Sequence, residues 1–190
     1  PAVLSIVSAG VAAIGVVGAA VGWFYFLHDY QKERVFTFLD PERDPLGTAY
    51  HAIQSQIAVG SGGLLGKGFG QGSQSQLDFL PEQQTDFVFS VLGEEWGFVG
   101  SAVVLALYLG ILIRGLMIAH SSKDQFGSYL AVGIVALFFW AGLINVGMVI
   151  GVVPVVGVPL PMLSYGGSAL LTCMIALGLL MNVSMRRYVF

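Results

Sequence analysis

Charge is the scarcest commodity in this chain. Of 190 residues, 8 are Lys or Arg and 11 are Asp or Glu, so 10% are charged, where a soluble domain carries about 25%. Hydrophobic residues make up 56% and the mean hydropathy is +0.81, which places the chain in lipid rather than in water. There is no basic run and the net charge is only −3, so the composition argues against a nucleic-acid partner. Cysteine is nearly absent too. Cys173 stands alone in an apolar run, which excludes a disulfide framework or a cysteine-built zinc site and leaves a small buried hydrophobe. His28, His51 and His120 are scattered, so no histidine metal site or Ser/His/Asp nucleophile grouping stands out. The chain opens on Pro1 with no basic flank, which is not the form of a signal peptide, and reads as the interior of a longer membrane protein.

What is present is long uncharged runs. A membrane crossing needs about 20 mostly apolar residues. Ala2 to Leu27 carries no charge, nor does Trp96 to Ile113, and from Phe126 to Met185 there is no Asp, Glu, Lys, Arg or His. That last run is too long for one crossing. Pro154, Pro159 and Pro161, then Gly166 and Gly167, divide it, because Pro lacks the N–H and clashes with a continuing helix. The reading is an all-α membrane protein with helices over about 2–27, 87–118, 126–152 and 166–186, and a large loop over 28–86. Arg114 and Lys123 flank one short connection and Arg186 and Arg187 follow the last span, whereas 152–165 has no charge. Lys and Arg excess marks the cytoplasmic side, so 28–86 is expected outside. Glycines such as Gly133, Gly142, Gly147 and Gly151 fit close helix packing in lipid. Within the spans only weak polar groups occur, Asn145 and Asn182 among them, whereas an ion-driven transporter usually has an ionisable residue there.

The chemistry is concentrated in the long loop. His28 to Asp44 is charge-dense and reads as an amphipathic surface segment ending in turns, with Lys32, Arg34 or Arg43 able to meet an anionic headgroup. Tyr50 to Val59 spaces its apolar residues for a short interfacial helix. The following GSGGLLGKGFGQG, with Gly66, Lys67 and Gly68, reads either as a flexible loop or as an anion nest for phosphate. It is not a Walker loop, since Ser61 stands where that motif needs Gly and Gly68 where it needs Ser or Thr.

Five carboxylates follow: Asp78, Glu82, Asp86, Glu94 and Glu95. Asp86 lies where the next apolar helix begins, so it is either an N-cap, favoured there by geometry and by the helix dipole, or a catalytic group. Glu94 and Glu95 either pair with loop cations or face a wet groove. Carboxylates on a membrane-surface loop can also bind a divalent ion together with a phosphate substrate.

The tract SQIAVGSGGLLGKGFGQGSQSQLDFLPEQQTDFVFSVLGEEWGFVG and a second one, VPLPMLSYGGSALL from Val158 to Leu171, strongly resemble the SEDS family (shape, elongation, division and sporulation). DPERDPLGTAYHAIQSQIAVGSGGL is similar to the family's RodA-type elongation branch more than to its division branch. The resemblance implies the C-terminal half of a ten-helix bundle, a lipid II polymerase, and an essential aspartate that falls on Asp86 of Thr85-Asp86-Phe87. It implies a second acidic position at Asp78. Gln84 departs from the His that is frequent there, so no histidine assistance is implied. Glu82, Lys67, Gly66, Gly68, Glu94 and Glu95 join Asp78 as expected substrate-side residues, with a divalent cation (Mg2+ or Mn2+) expected on the diphosphate. The implied partners are lipid II, a class B penicillin-binding transpeptidase and other elongation-complex membrane proteins, with the bacterial cytoplasmic membrane as location. A lipid II flippase and a non-enzymatic scaffold that activates a transpeptidase are the alternatives.

Overall fold

A computed structural model describes residues 28–40, 48–72 and 85–189. The expected first span, 2–27, and the carboxylates Asp78 and Glu82 lie outside the described residues. Among the described residues five helices follow in order: α1 (Asp29–Leu39), α2 (Thr48–Gly62), α3 (Val88–His120), α4 (Gln125–Val149) and α5 (Gly167–Val189). No strand occurs among the described residues. Three of the helices, α3, α4 and α5 as far as Arg186, are long and apolar enough to cross a membrane. At 1.5 Å per residue α4 is about 37 Å long, more than a hydrocarbon core of about 30 Å requires.

Local chemistry sets the ends. The α3 C-terminus is closed by Ser121, whose N–H donates to the Met117 carbonyl at 3.0 Å. Asp124 then caps α4, its carboxylate accepting the Gly127 N–H at 2.7 Å. Because only 121–124 separates them, α3 and α4 form an antiparallel hairpin, and α5 leans against both. α4 stops at Val149, well before Pro154, and the 150–166 connection folds back over its end.

Two apolar clusters hold these elements together. One joins α3, α4 and α5 around Leu112, Phe138, Cys173 and Leu180; Cys173 is buried there. In it, Tyr108 donates its O–H to the Phe138 carbonyl at 2.7 Å, over the bare backbone of Gly142, where a Cβ would stand 2.7 Å from the ring. The other joins α2, the start of α3 and the end of α4 around Ala58, Phe87, Phe89, Met148 and Leu160.

The region expected as a loop, 28–86, contains α1 and α2, and α2 is not simply interfacial. Ser55, Ala58 and Gly62 recur at three- and four-residue spacing along one face, a small-residue stripe that permits close approach. Ser55 and Ala58 are fully buried. Ser90 of α3 donates its hydroxyl to Ser55 Oγ at 3.0 Å, and Ser55 donates onward to the Val149 carbonyl of α4 at 2.8 Å. α1 is tied to the far connection by Arg34, whose Nη1 donates to the Val155 carbonyl at 3.1 Å.

Candidate active site at the foot of α3

Asp86 lies one residue outside the helix. The N-cap of α3 is Phe87, which makes no side-chain capping bond; its carbonyl takes the N–H of Ser90 at 2.9 Å. The capping reading of Asp86 is therefore corrected: the buried Phe87 ring anchors the helix start in the apolar cluster, and this displaces Asp86 outward. What surrounds Asp86 comes from far along the chain. Asn145, fully buried in α4, donates from Nδ2 to the Asp86 carbonyl at 2.8 Å and to the Val158 carbonyl at 2.7 Å. Gly157, at φ +77°, presents bare backbone to the carboxylate, and a Cβ there would stand 3.1 Å from Asp86 Oδ2.

The second signature tract converges on the same end of α3. A cleft of about 550 Å³ is lined by Val88, Leu163, Ser164, Tyr165, Gly166, Gly167 and Leu170. The Ser164-Tyr165-Gly166-Gly167 motif thus lines this opening together with Val88, the residue that follows Thr85-Asp86-Phe87, with Tyr165 exposed. The connection is held in shape by Ser164 Oγ, which accepts the Leu160 N–H at 2.7 Å.

Lys67, Gly66, Gly68, Glu94 and Glu95 gather at a second place, farther along α3. The helix breaks at Gly97, with φ 66° and ψ −164°. A broken helix frees carbonyls on one side and N–H groups on the other, and both must find partners in a dry setting. The glycine-rich turn supplies both. Lys67 and Gly68 N–H donate to the Glu94 and Glu95 carbonyls at 3.0 Å each, and Phe98 and Val99 N–H donate to the Gly63 and Leu64 carbonyls at 2.9 and 3.1 Å. The backbones touch, so a Cβ at Gly66 would fall on the Glu95 carbonyl. Lys67 Nζ pairs with Glu94 Oε1 at 2.8 Å, and Glu94 is fully buried. Glu95 Oε1 accepts the Gly70 N–H at 3.1 Å.

The two readings of the glycine-rich tract are thereby revised. It is an ordered clamp rather than a flexible loop. The N–H groups that an anion nest would offer at Gly66, Lys67, Gly68 and Gly70 donate within the protein, to Gly62, Glu94 and Glu95. Glu94 lies six residues into α3 from Val88, about 9 Å of rise, and Lys67 is held there by its pair with Glu94. Among the described residues no three His, Cys, Asp or Glu side chains gather to hold a metal ion; these residues do not by themselves fit a divalent cation.

Asn145 is the site residue whose role went unread in the sequence. Its signal was an amide-bearing side chain inside an otherwise uncharged span, where a polar group must find a partner.

With this geometry in hand, the chain compares with known proteins as follows. Residues 2–189 match the family model described as cell cycle protein, covering FtsW, RodA and SpoVE. The peptidoglycan glycosyltransferase MrdB of Escherichia coli is 54% identical over 165 residues, 87% of this chain and 45% of that protein. The peptidoglycan glycosyltransferase RodA of Treponema pallidum is 48% identical over 170 residues, 90% of this chain and 39% of that protein. This chain therefore spans less than half the length of these curated relatives. A solved structure of a peptidoglycan synthase complex, described as coordinating polymerization and crosslinking, superposes with a TM-score of 0.72 at 34% identity, covering 96% of this chain and 49% of that one. A mutant of the Thermus thermophilus rod shape determining protein RodA superposes with a TM-score of 0.53 at 38% identity, over 56% of this chain and 36% of that one. On the match from residue 2 to residue 189 and on these identities, the chain belongs to the FtsW/RodA/SpoVE (SEDS) family and is of its RodA type.

Proposed function

We propose that this chain carries the catalytic loop of a peptidoglycan glycosyltransferase that polymerises lipid II during cell elongation, at the outer face of the bacterial cytoplasmic membrane. The observation that carries the reading is the setting of Asp86: a carboxylate held outside the helix start against Gly157, beside an open cleft lined by the second family signature. Asp86 stands outside the Phe87 N-cap and two residues before Val88, which lines that cleft.

In the proposed reaction the acceptor sugar's 4-hydroxyl attacks the anomeric carbon of the donor, the new C–O bond forms, and the bond from that carbon to the diphosphate oxygen breaks. The hydroxyl proton passes to Asp86, and polyprenyl diphosphate leaves with the bonding pair. One displacement converts the α-linked donor to a β-linked product. A positioned base contributes about 10²- to 10⁴-fold to such a step. The apolar faces of α3, α4 and α5 suit polyprenyl tails, and the likeness to a synthase complex supports a class B transpeptidase as partner.

Counter-charge for the diphosphate is the part not built from the described residues, since Lys67 is engaged by Glu94. A divalent cation (Mg2+ or Mn2+) is proposed there, with Asp78 and Glu82 as carboxylates to hold it. Activity after EDTA treatment and after return of either ion measures it. The central test is polymerisation of labelled lipid II by the full-length protein and its Asp86→Asn variant. A folded Asp86→Asn protein that makes no glycan supports the reading, and one that polymerises at near the normal rate ends it.

A further inference from the structure

Asn145 lies near the end of α4, 59 residues along the chain from Asp86, and is fully buried. Both of its hydrogen bonds are to backbone carbonyls, those of Asp86 at 2.8 Å and Val158 at 2.7 Å. Two carbonyls can be satisfied together only by the NH2 end of an amide, so the orientation of this side chain is chemically determined. Its Oδ1 has no hydrogen-bond partner although buried. A buried acceptor left unmade costs stability, so packing alone does not account for an amide here. A leucine of similar size would fill the space but leave both carbonyls without their donor.

The two carbonyls belong to the two segments that meet at the candidate catalytic group. One is the Asp86 backbone itself. The other is the residue after Gly157, whose bare backbone abuts Asp86 Oδ2. The amide therefore sets the distance between the base and the wall it leans on. Val158 also opens the tract that continues to Tyr165 and the cleft beside Val88.

We infer that Asn145 is the positioning residue for Asp86: its amide staples the Asp86 backbone to the 157–158 backbone and so fixes where the carboxylate stands relative to the cleft. The inference rests on the reading of Asp86 as the base. Asn145 itself touches no substrate. Its loss should affect the chemical step and spare the binding of lipid II.

The test uses full-length protein in detergent or nanodiscs, labelled lipid II, and four variants: Asn145→Leu, Asn145→Asp, Asn145→Gln and Asp86→Asn. Asn145→Leu keeps the bulk and removes both donors. Asn145→Asp keeps the shape but, protonated at this buried site, can donate to only one of the two carbonyls. Asn145→Gln keeps the NH2 on a longer arm. Misplacing a reacting group by about 1 Å costs on the order of 10²-fold. The Leu and Asp variants should therefore lose about 30- to 100-fold in kcat, with KM for lipid II within about twofold of normal. Asn145→Gln should recover part of the kcat lost.

A kcat for Asn145→Leu within about threefold of normal would overturn the inference. So would a matched collapse of thermal stability and lipid II binding in all three Asn145 variants, which would make the residue a core strut only. Failure of the underlying reading shows separately: an active Asp86→Asn protein removes Asp86 as base whatever Asn145 does. An inactive Asp86→Asn protein beside an active Asn145→Leu protein removes only the positioning role.

Discussion

Lys67 Nζ meets Glu94 Oε1 at 2.8 Å, and of the two side chains Glu94 is fully buried while Lys67 retains 30% of its exposure. The pair sits at the place where the α3 backbone is broken and re-bonded to the glycine-rich turn. Its geometry makes Lys67 a counter-ion for Glu94, and it yields the first prediction.

Removing one partner of a buried pair strands the other charge, which typically costs about 3–5 kcal/mol, reduced here to about 2–3 because Lys67 is partly solvated. Lys67→Ala should lose that much in thermal or denaturant unfolding of the full-length protein. Lys67→Met combined with Glu94→Gln should recover most of it, because no charge is then left buried. If the folded double variant still uses lipid II normally, Lys67 serves the helix break. If it is stable but impaired at limiting lipid II, Lys67 returns as a diphosphate ligand.

The break itself is testable at Gly97. Its φ of 66° disfavours any side chain, and a Cβ would run into the Gly66 N–H. Backbone strain of this kind costs about 1–3 kcal/mol, and here the contact is with backbone that cannot rotate away. Gly97→Ala should lower the unfolding midpoint strongly and speed deuterium exchange of the Lys67, Gly68, Phe98 and Val99 amides. Ordinary exchange at those four positions would mean the clamp tolerates a side chain.

The spans after residue 86 were legible because long uncharged runs need a hydrocarbon setting and because prolines interrupt the last of them. Asp86 stood at the edge of an apolar run as one of five carboxylates, open between cap and catalytic group, and only the resemblance to the family singled it out. The helix break was not: Glu94-Glu95-Trp96-Gly97 contains no proline, and the partners that satisfy it lie about thirty residues upstream, beyond any local pattern. The same holds for Asn145, whose contacts with Asp86 and Val158 exist only once α4 has packed against the foot of α3. The small-residue stripe of α2 was readable in principle. The segment was read as an interfacial helix from its apolar spacing, and which helices its small residues pack against depends on residues far along the chain.

Asp124 offers a pH handle at the other end of α3 and α4. The Gly127 N–H bond holds its carboxyl below the ordinary value of 3.8, helped by the Ser122 hydroxyl and by the charge of Arg186. A carboxylate whose folded pKa is depressed contributes stability that is full above the unfolded value and is lost as pH falls through the folded one. Asn caps comparably but does not titrate in this range. The difference in unfolding temperature between the normal protein and Asp124→Asn should therefore be constant near neutrality and shift against the normal protein below about pH 4. A difference that does not change with pH would mean the Gly127 bond is absent in the membrane.

Orientation decides whether the proposed chemistry has access to its substrate, and the sequence pattern of Arg114, Lys123 and Arg186 predicts it. Cys173 is the one cysteine of these 190 residues and is buried; a parent with Cys173→Ala and any cysteine elsewhere in the full-length protein replaced removes background labelling. In that parent, Val156→Cys lies in the exposed connection beside the Asp86 site, while Ser121→Cys lies in the exposed turn between α3 and α4. An impermeant maleimide added to intact cells should label position 156 and leave 121 untouched until the cells are opened. The crossing helix α4 between the two positions makes the outcome exclusive, because one span separates them. Labelling of 121 and not 156 would put Asp86 on the cytoplasmic side. Lipid II polymerisation outside the membrane would then be impossible at this site, and a role in handling the lipid before export would replace it.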